Sequence, residues 1–431
     1  MDILFNVVTT IFWGMVMFSL IVLVHEAGHY TAARLCGMRV REFMLGLPGP
    51  NIGLHIGETR FGITPILLGG YALIAGMMYE TESPTLAITM QHLALVGSIS
   101  AVQAADLSDR LGYDFETDLE QLVDWGVVHR KKTPPSNPLF ELAATKTSSQ
   151  GQPREIGDAQ AYLAEQRRRT YLGSPYPARV FMLVSGAVFN LVFAIIIFVT
   201  AIMISGEQRA TTTVSQVAVD SPAQAVGVQA GDRLVELDGQ TIDSWDRFRE
   251  IVSAHQVGDE VSLVVERDGQ LLEYRIVLAE TDGHAFVGVV AGIETVPVGF
   301  LDALRIAFLF IGMVAVSIIG LLNPTSFPEV ISQSSSVIGI SVEASNAAEA
   351  GLIPFLLLAA VLSVSIGLMN LLPIPPLDGG KIVLETVQRI IRRPIPIRLI
   401  NSISLLALVF LGLMFVFVTW QDIQRYILPG L

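Results

Sequence analysis

The 431-residue chain is short of charge. Asp, Glu, Lys and Arg make up 16% of it, against about 25% in soluble domains. Its mean hydropathy is +0.56. Too few charges are present to coat a soluble enzyme of this size, and the apolar content excludes a disordered chain. Basic residues are the minority, 27 Lys and Arg against 40 Asp and Glu, for a net charge of −13. That balance argues against nucleic acid as the main partner, because phosphate binding needs a basic face. There is one cysteine, Cys36, which excludes an internal disulfide framework and a four-cysteine zinc site. The oxidising side of a membrane remains open to a chain without disulfides.

The scarce charge is unevenly spread. A membrane-spanning helix needs about 20 mostly apolar residues. Ile3–Val24, Phe181–Ile204, Leu352–Leu372 and Leu399–Trp420 meet that length. A fifth apolar run, Ile306–Leu322, is shorter. The N-terminus lacks the basic n-region and small-residue cleavage site of a signal peptide. Basic residues set orientation. Arg34, Arg39 and Arg41 follow the first span, and Arg167, Arg168, Arg169 and Arg179 precede the second. The loop between them is therefore expected in the cytoplasm and the N-terminus outside. Lys381, Arg389, Arg392, Arg393 and Arg398 place the loop between the last two spans in the cytoplasm as well. That parity predicts four spans, with residues 296–351 an interfacial or re-entrant segment on the outer face and both termini outside.

Residues 44–79 are rich in glycine and β-formers and predict short strands lying close to the membrane. Residues 80–170 combine an apolar helical stretch (Leu86–Val102), an acidic stretch (Asp114–Asp124), a Lys/Pro break (Lys131–Pro135) and a linker, Ser148–Arg154, expected to be flexible. This insert gives no chemical reading. Residues 206–295 predict a small soluble β-rich domain, with strands at Thr213–Val219, Arg233–Leu237, Val261–Glu266 and Tyr274–Leu278. Turns are expected at Asp238-Gly239 and Asp268-Gly269, and one helix over Ser244–Ser253 with Ser244 as N-cap. The ordered string Ser221-Pro222-Ala223, Gly227, Gly231-Asp232-Arg233-Leu234, Asp238-Gly239 resembles a PDZ domain, a module that captures extended peptides at a sheet edge.

The chemistry lies at the end of the first span, where His25-Glu26-Ala27-Gly28-His29 reads H-E-x-x-H. On a helix, positions i and i+4 share a face, so both imidazoles reach one tetrahedral Zn²⁺ and Glu26 sits beside it as general base. Ionisable groups ending an apolar span are costly to desolvate and mark function. A catalytic zinc needs a third protein ligand and one open position. The next histidine, His55, lies among the glycine-rich strands. Asp378 fits instead, within Asn370-Leu371-Leu372-Pro373-Ile374-Pro375-Pro376-Leu377-Asp378-Gly379-Gly380, at the same cytoplasmic end by the topology above. The prolines break the helix and the glycines allow tight turns. Irregular backbone at that depth is tolerated where it lines a wet cavity. Cys36 reads as an ordinary interface residue. His55, His92, His129, His255 and His284 have no partner at ligand spacing.

The H-E-x-x-H motif, the N-x-x-P-x-P-x-L-D-G-G run and a PDZ string between them resemble the site-2 protease family, in its bacterial RseP type. The resemblance covers nearly the whole chain except residues 80–170. It implies a polytopic α-helical protein of the bacterial inner membrane with a membrane-associated β-rich loop and an extracytoplasmic PDZ domain. It implies an intramembrane zinc metalloprotease with His25, His29 and Asp378 as ligands and Glu26 as base. It further implies substrate binding by Gly69, Gly70 and Tyr71 of the β-loop and by Asn370. Substrates would be single-pass membrane proteins already trimmed outside, of the anti-sigma-factor or remnant-signal-peptide kind, with a peptide or protein terminus at the PDZ domain. Three motifs depart from the family pattern. Ser185-Gly186-Ala187-Val188-Phe189-Asn190 lacks a proline, Gly46-Leu47-Pro48-Gly49-Pro50 alters a glycine-rich loop, and the insert is long.

Other classes fit less well. A catalytically silent zinc-binding PDZ scaffold has no need of Glu26. A transporter is expected to show internal repeats, and none is visible. A tethered protease for soluble substrates would carry a soluble catalytic domain.

Overall fold

The computed structural model describes residues 2–67, 69–78, 82–131, 137–145, 148–281, 283–320, 323, 325, 327–332, 334–393 and 395–427. Tyr79, Leu322 and most of the Lys131–Pro135 break lie outside them. Two compact units are present, one of residues 1–198 and 307–431 and one of residues 199–306.

The first unit begins with α1 (Asp2–Leu35). A four-stranded sheet follows, with β1 (Val40–Leu45), β2 (Ile52–Ile56), β3 (Thr59–Ile63) and β4 (Gly70–Ile74). Its order is β2-β3-β1-β4, so β4 has a free edge. Strands alternate their faces. One face puts Phe43 and Phe61 against Tyr30 of α1, with ring centroids 5.5 Å apart in both pairs. The opposite face carries Glu42, His55 and Arg60.

The insert is an ordered domain. It comprises α2 (Leu86–Val96), β5 (Ser98–Ser100), α3 (Ala101–Leu111), α4 (Phe115–Asp124), β6 (Val128–Lys131), β7 (Leu139–Leu142) and α5 (Ala159–Arg168). Leu86, Met90, Leu93, Phe115, Leu119, Leu122 and Phe140 form its buried core. The expected single helix over Leu86–Val102 is broken at Gly97, whose φ of 79° ends α2 and starts β5. The Ser148–Arg154 linker, expected to be flexible, is tied down: Gly151 N–H donates to Leu142 O (2.9 Å) and Arg154 N–H to Ala94 O (2.9 Å).

Next comes α6 (Tyr176–Ser205). It leads into the second unit, a β-rich domain of β8 (Glu207–Val217), α7 (Pro222–Val226), β9 (Arg233–Leu237), β10 (Gln240–Thr241), α8 (Trp245–Ser253), β11 (Glu260–Arg267), β12 (Gln270–Val277), β13 (Ala279–Thr281), β14 (His284–Phe286) and β15 (Val289–Val296). Five strands run β12-β11-β9-β8-β15 over a core that includes Leu234, Leu237, Phe248, Ile251, Leu263 and Ile276. Ser244 caps α8 by accepting from Arg247 N–H. Asp238-Gly239 and Asp268-Gly269 all take positive φ, the conformation of type I′ hairpin turns. Asp232, 1% exposed, receives the Arg267 guanidinium at 2.6 and 2.7 Å, which holds its carboxyl below the usual range.

The chain continues with α9 (Phe300–Gly320), α10 (Phe327–Ser332), α11 (Val337–Ala350), α12 (Leu352–Asn370), α13 (Asp378–Ile391) and α14 (Ile397–Asp422). Among the described residues five helices are long and apolar enough to cross a membrane: Val7–Leu35, Tyr176–Ser205, Phe300–Gly320, Leu352–Asn370 and Arg398–Tyr426. The fifth run thus falls mostly within a helix of 21 residues, Phe300–Gly320, about 30 Å long. The helix directions are fixed by side-chain contacts. His29 meets Met182 and His25 meets Asn190, so α6 runs antiparallel to α1. Trp13 packs on Phe355 and His25 lies at Asp378, so α12 runs parallel to α1. The chain must therefore return, before Leu352, to the side it reaches at the end of α6. The start of α11 lies at the end of α14, where Asp422 accepts from the N–H groups of Ser336 (2.6 Å) and Gly339 (3.2 Å).

Candidate metal centre

The histidines lie on α1 because an apolar run of this length folds as a helix in a bilayer, where backbone groups must pair internally. One turn apart, they present Nε2 atoms 3.1 Å from each other. Asp378, first residue of α13, reaches them from the other end of the chain. Its Oδ2 lies 3.3 Å from His25 Nε2 and 3.1 Å from His29 Nε2. Each of the three residues is less than one-tenth exposed. Two packing devices put Asp378 there. Gly379 and Gly380 let the first turn of α13 sit on residues 371–375, since a Cβ would lie 2.2 Å from Leu371 O and 2.3 Å from Pro375 N. Farther along α13, Glu385 pairs with Arg179 (3.3 Å) and accepts from Tyr171 Oη.

These separations suit a metal ion. Ligand atoms about 2.0–2.1 Å from a tetrahedral ion stand roughly 3.3 Å apart. The three residues form a metal-capable group whose ligand atoms all lie within 4.8 Å of one another. The tautomers agree. His29 Nδ1 lies 2.8 Å from Met182 O, which can only accept, so Nδ1 carries the proton and Nε2 keeps its lone pair. His25 Nδ1 faces the Asn190 amide at 3.5 Å. Asn190 is fully buried and its Oδ1 has no partner. Amide oxygen and nitrogen are interchangeable assignments; turned over, Oδ1 accepts from the His25 Nδ1–H, which leaves His25 Nε2 with its lone pair. Gly186 supplies the remaining space. A Cβ there would stand 2.5 Å from His29 Nε2 and 2.8 Å from His25 Nε2. Lys381 Nζ contacts the other oxygen of Asp378 at 3.3 Å.

Glu26 points away from the histidine pair's axis toward the sheet. Its Oε2 accepts from the Ala72 N–H at 2.8 Å. Gly70 lies against Glu26 as well, since a Cβ on it would come 3.7 Å from Glu26 Cγ. Tyr71 points elsewhere, donating to Glu42 Oε2 (3.0 Å). Gly69, with φ 121°, precedes the strand and accepts from Gly46 N–H (2.8 Å). Asn370 ends α12, and its side chain forms no hydrogen bond among the described residues. The structure therefore gathers His25, Glu26, His29, Asp378, Gly70 and Ala72, and adds Gly186, Asn190 and Met182. The only sequence signal for Gly186 and Asn190 is the Ser185–Asn190 motif.

Comparison with known proteins agrees in extent. The model of a family described as Peptidase family M50 matches residues 13–414. A probable protease, Eep, of Enterococcus faecalis is 29% identical over 97% of this chain and 99% of its own length. A zinc metalloprotease, RasP, of Oceanobacillus iheyensis is 26% identical over 97% of this chain and all of its own. Among solved structures, the PDZ domain of an SdrC-like protein from Listeria innocua matches 19% of this chain and 92% of its own, at 28% identity and a TM-score of 0.18.

Proposed function

The chain belongs to peptidase family M50, the family of site-2 proteases, and we propose that it is a zinc endopeptidase cleaving the transmembrane helices of single-pass membrane proteins. One observation carries this reading: the His25–His29–Asp378 cluster and Glu26 sit among apolar helices, beside the free edge of β4. His25, His29 and Asp378 hold the zinc. A zinc ion held there would supply an acidified water and polarise the scissile carbonyl. Glu26 takes the proton of that water and delivers it to the leaving amine.

The peptide is cleaved in extended form, because a helix hides its carbonyls in hydrogen bonds. The edge of β4 around Gly69, Gly70 and Tyr71 offers a backbone template for such a strand. Asn370, with an uncommitted amide, binds backbone groups freed from the substrate helix. Basic residues at both ends of the α1–α6 loop support a metal centre near the cytoplasmic face and a PDZ unit outside. Substrates are then proteins already shortened outside, such as an anti-sigma factor or a remnant signal peptide, and the PDZ unit reads their new terminus. The test compares one tagged helix carrying either a short outer tail or a folded outer domain. Cleavage of the short form alone supports the reading. Equal cleavage of both removes the need for trimming.

A further inference from the structure

The polar face of the four-stranded sheet and the inserted domain line a half-open cavity of about 1080 Å³. Arg39, Arg41, Arg60, Arg130, Arg154 and Arg169 line it, a concentration of positive charge in a chain of net charge −13. The carboxylates present are already committed. Glu58 is shared by Arg34 (3.6 Å), Arg39 (3.7 Å) and Arg169. Glu120 holds Arg130 at 3.0 Å, and Asp124 faces Arg41 at 3.9 Å. Glu42 accepts from Tyr71 and Glu141 from Gln150. Arg60, Arg154 and Lys131, which also line the cavity, have no carboxylate within 4.0 Å among the described residues. The Nε atoms of Arg60 and Arg154 are shut off from solvent and donate to nothing.

Arg154 also donates from Nη1 to Ala143 O and from Nη2 to Tyr162 Oη, each at 3.0 Å, so it is partly committed. Cationic groups without a carboxylate partner, lining a half-open cavity, call for a ligand rich in acceptor oxygens. Guanidinium forks match phosphate oxygens in geometry as well as charge. The volume is at the upper end of small-molecule sites. We propose that this cavity binds a phosphate-bearing anion of about nucleotide size, its phosphate oxygens held by Arg60, Arg154 and Lys131. Leu73 lines the cavity and is the neighbour of Ala72, whose N–H holds Glu26. Occupancy therefore bears on the strand that borders the metal centre.

The test measures binding to the full chain in detergent by calorimetry. The probes are ATP, ADP and pyrophosphate for a soluble ligand, and dihexanoyl phosphatidylglycerol for a lipid headgroup. Saturable binding of either kind at one per chain is expected, and the kind that binds identifies the source. Arg60→Gln with Arg154→Gln should weaken it about tenfold or more. Lys131→Gln, on an exposed side chain where folding is not at stake, should weaken it several-fold and checks the result if the double variant melts early. No saturation by any probe at millimolar concentration, or unchanged binding in Lys131→Gln and the folded double variant, overturns the proposal. Proteolysis is not the readout, so this outcome is independent of the proposed protease activity.

Discussion

Glu26 Oε2 accepts a hydrogen bond from the backbone N–H of Ala72 at 2.8 Å. The bond joins α1, which carries the histidines, to the free edge of β4. It fixes Glu26 beside the proposed metal ligands, at the edge that a substrate strand would join in the proposed reaction. A proline at 72 removes this donor without breaking the sheet, since an edge strand accepts proline where the N–H faces away from its partner. Ala72→Pro should lower cleavage at least tenfold and leave metal content unchanged, as read by turnover and elemental analysis of the same preparation. Unchanged turnover would mean that Ala72 does not position Glu26.

Gly186 sets the clearance around the imidazoles. With a Cβ 2.5 Å from His29 Nε2, Gly186→Ala must displace one ligand or separate α6 from α1. The expected result is loss of bound metal, seen as a metal:protein ratio well below one, together with loss of activity. Full metal occupancy in Gly186→Ala would show that the ion sits elsewhere.

Asn190 orients His25 from behind. Partners of this kind typically change metal affinity 10–100-fold. Asn190→Ala should weaken zinc by that order in a chelator competition, and Asn190→Asp, which keeps an acceptor for Nδ1–H, should recover most of it. Equal weakening in both would argue that Asn190 serves packing alone.

The orientation of the chain can be tested with its single cysteine replaced. In a Cys36→Ser background, Arg168→Cys, whose native side chain is 81% exposed, should react with an impermeant maleimide only after the inner membrane is opened. Gln270→Cys, on the exposed hairpin of the PDZ unit, should react in spheroplasts without opening. The reverse pattern would invert the topology.

The sequence makes some parts plain and hides others for physical reasons. The i, i+4 spacing of His25 and His29 is local, so it can be read directly. Asp378 needs only the side of the membrane on which its loop falls. Strand, turn and cap signals in the PDZ unit are also local, and the Ser244 cap and both Asp-Gly turns form where they are expected. Gly186 and Asn190 matter because α6 crosses α1 at the histidines, a fact of packing between distant segments. The Ala72–Glu26 bond depends on how a sheet meets a helix. The length of α9 is hidden by Asp302 and Arg305, which interrupt the apolar run although the helix begins before them at Phe300. Charges in the first turns of a spanning helix reach the interface at little cost. The cavity behind β4 forms only when the insert packs against the sheet.

The central claim is that Glu26 acts as a base beside a metal held by His25, His29 and Asp378. The most direct measurement is cleavage of a tagged single-span substrate by the native chain and by Glu26→Gln, with and without a zinc chelator, with metal content determined in each. Glu26→Gln should lower cleavage by about 10²–10⁴-fold at full zinc occupancy, and chelation should abolish cleavage by the native chain until zinc is restored. Cleavage that survives either change, or loss of zinc from Glu26→Gln along with activity, would contradict the account.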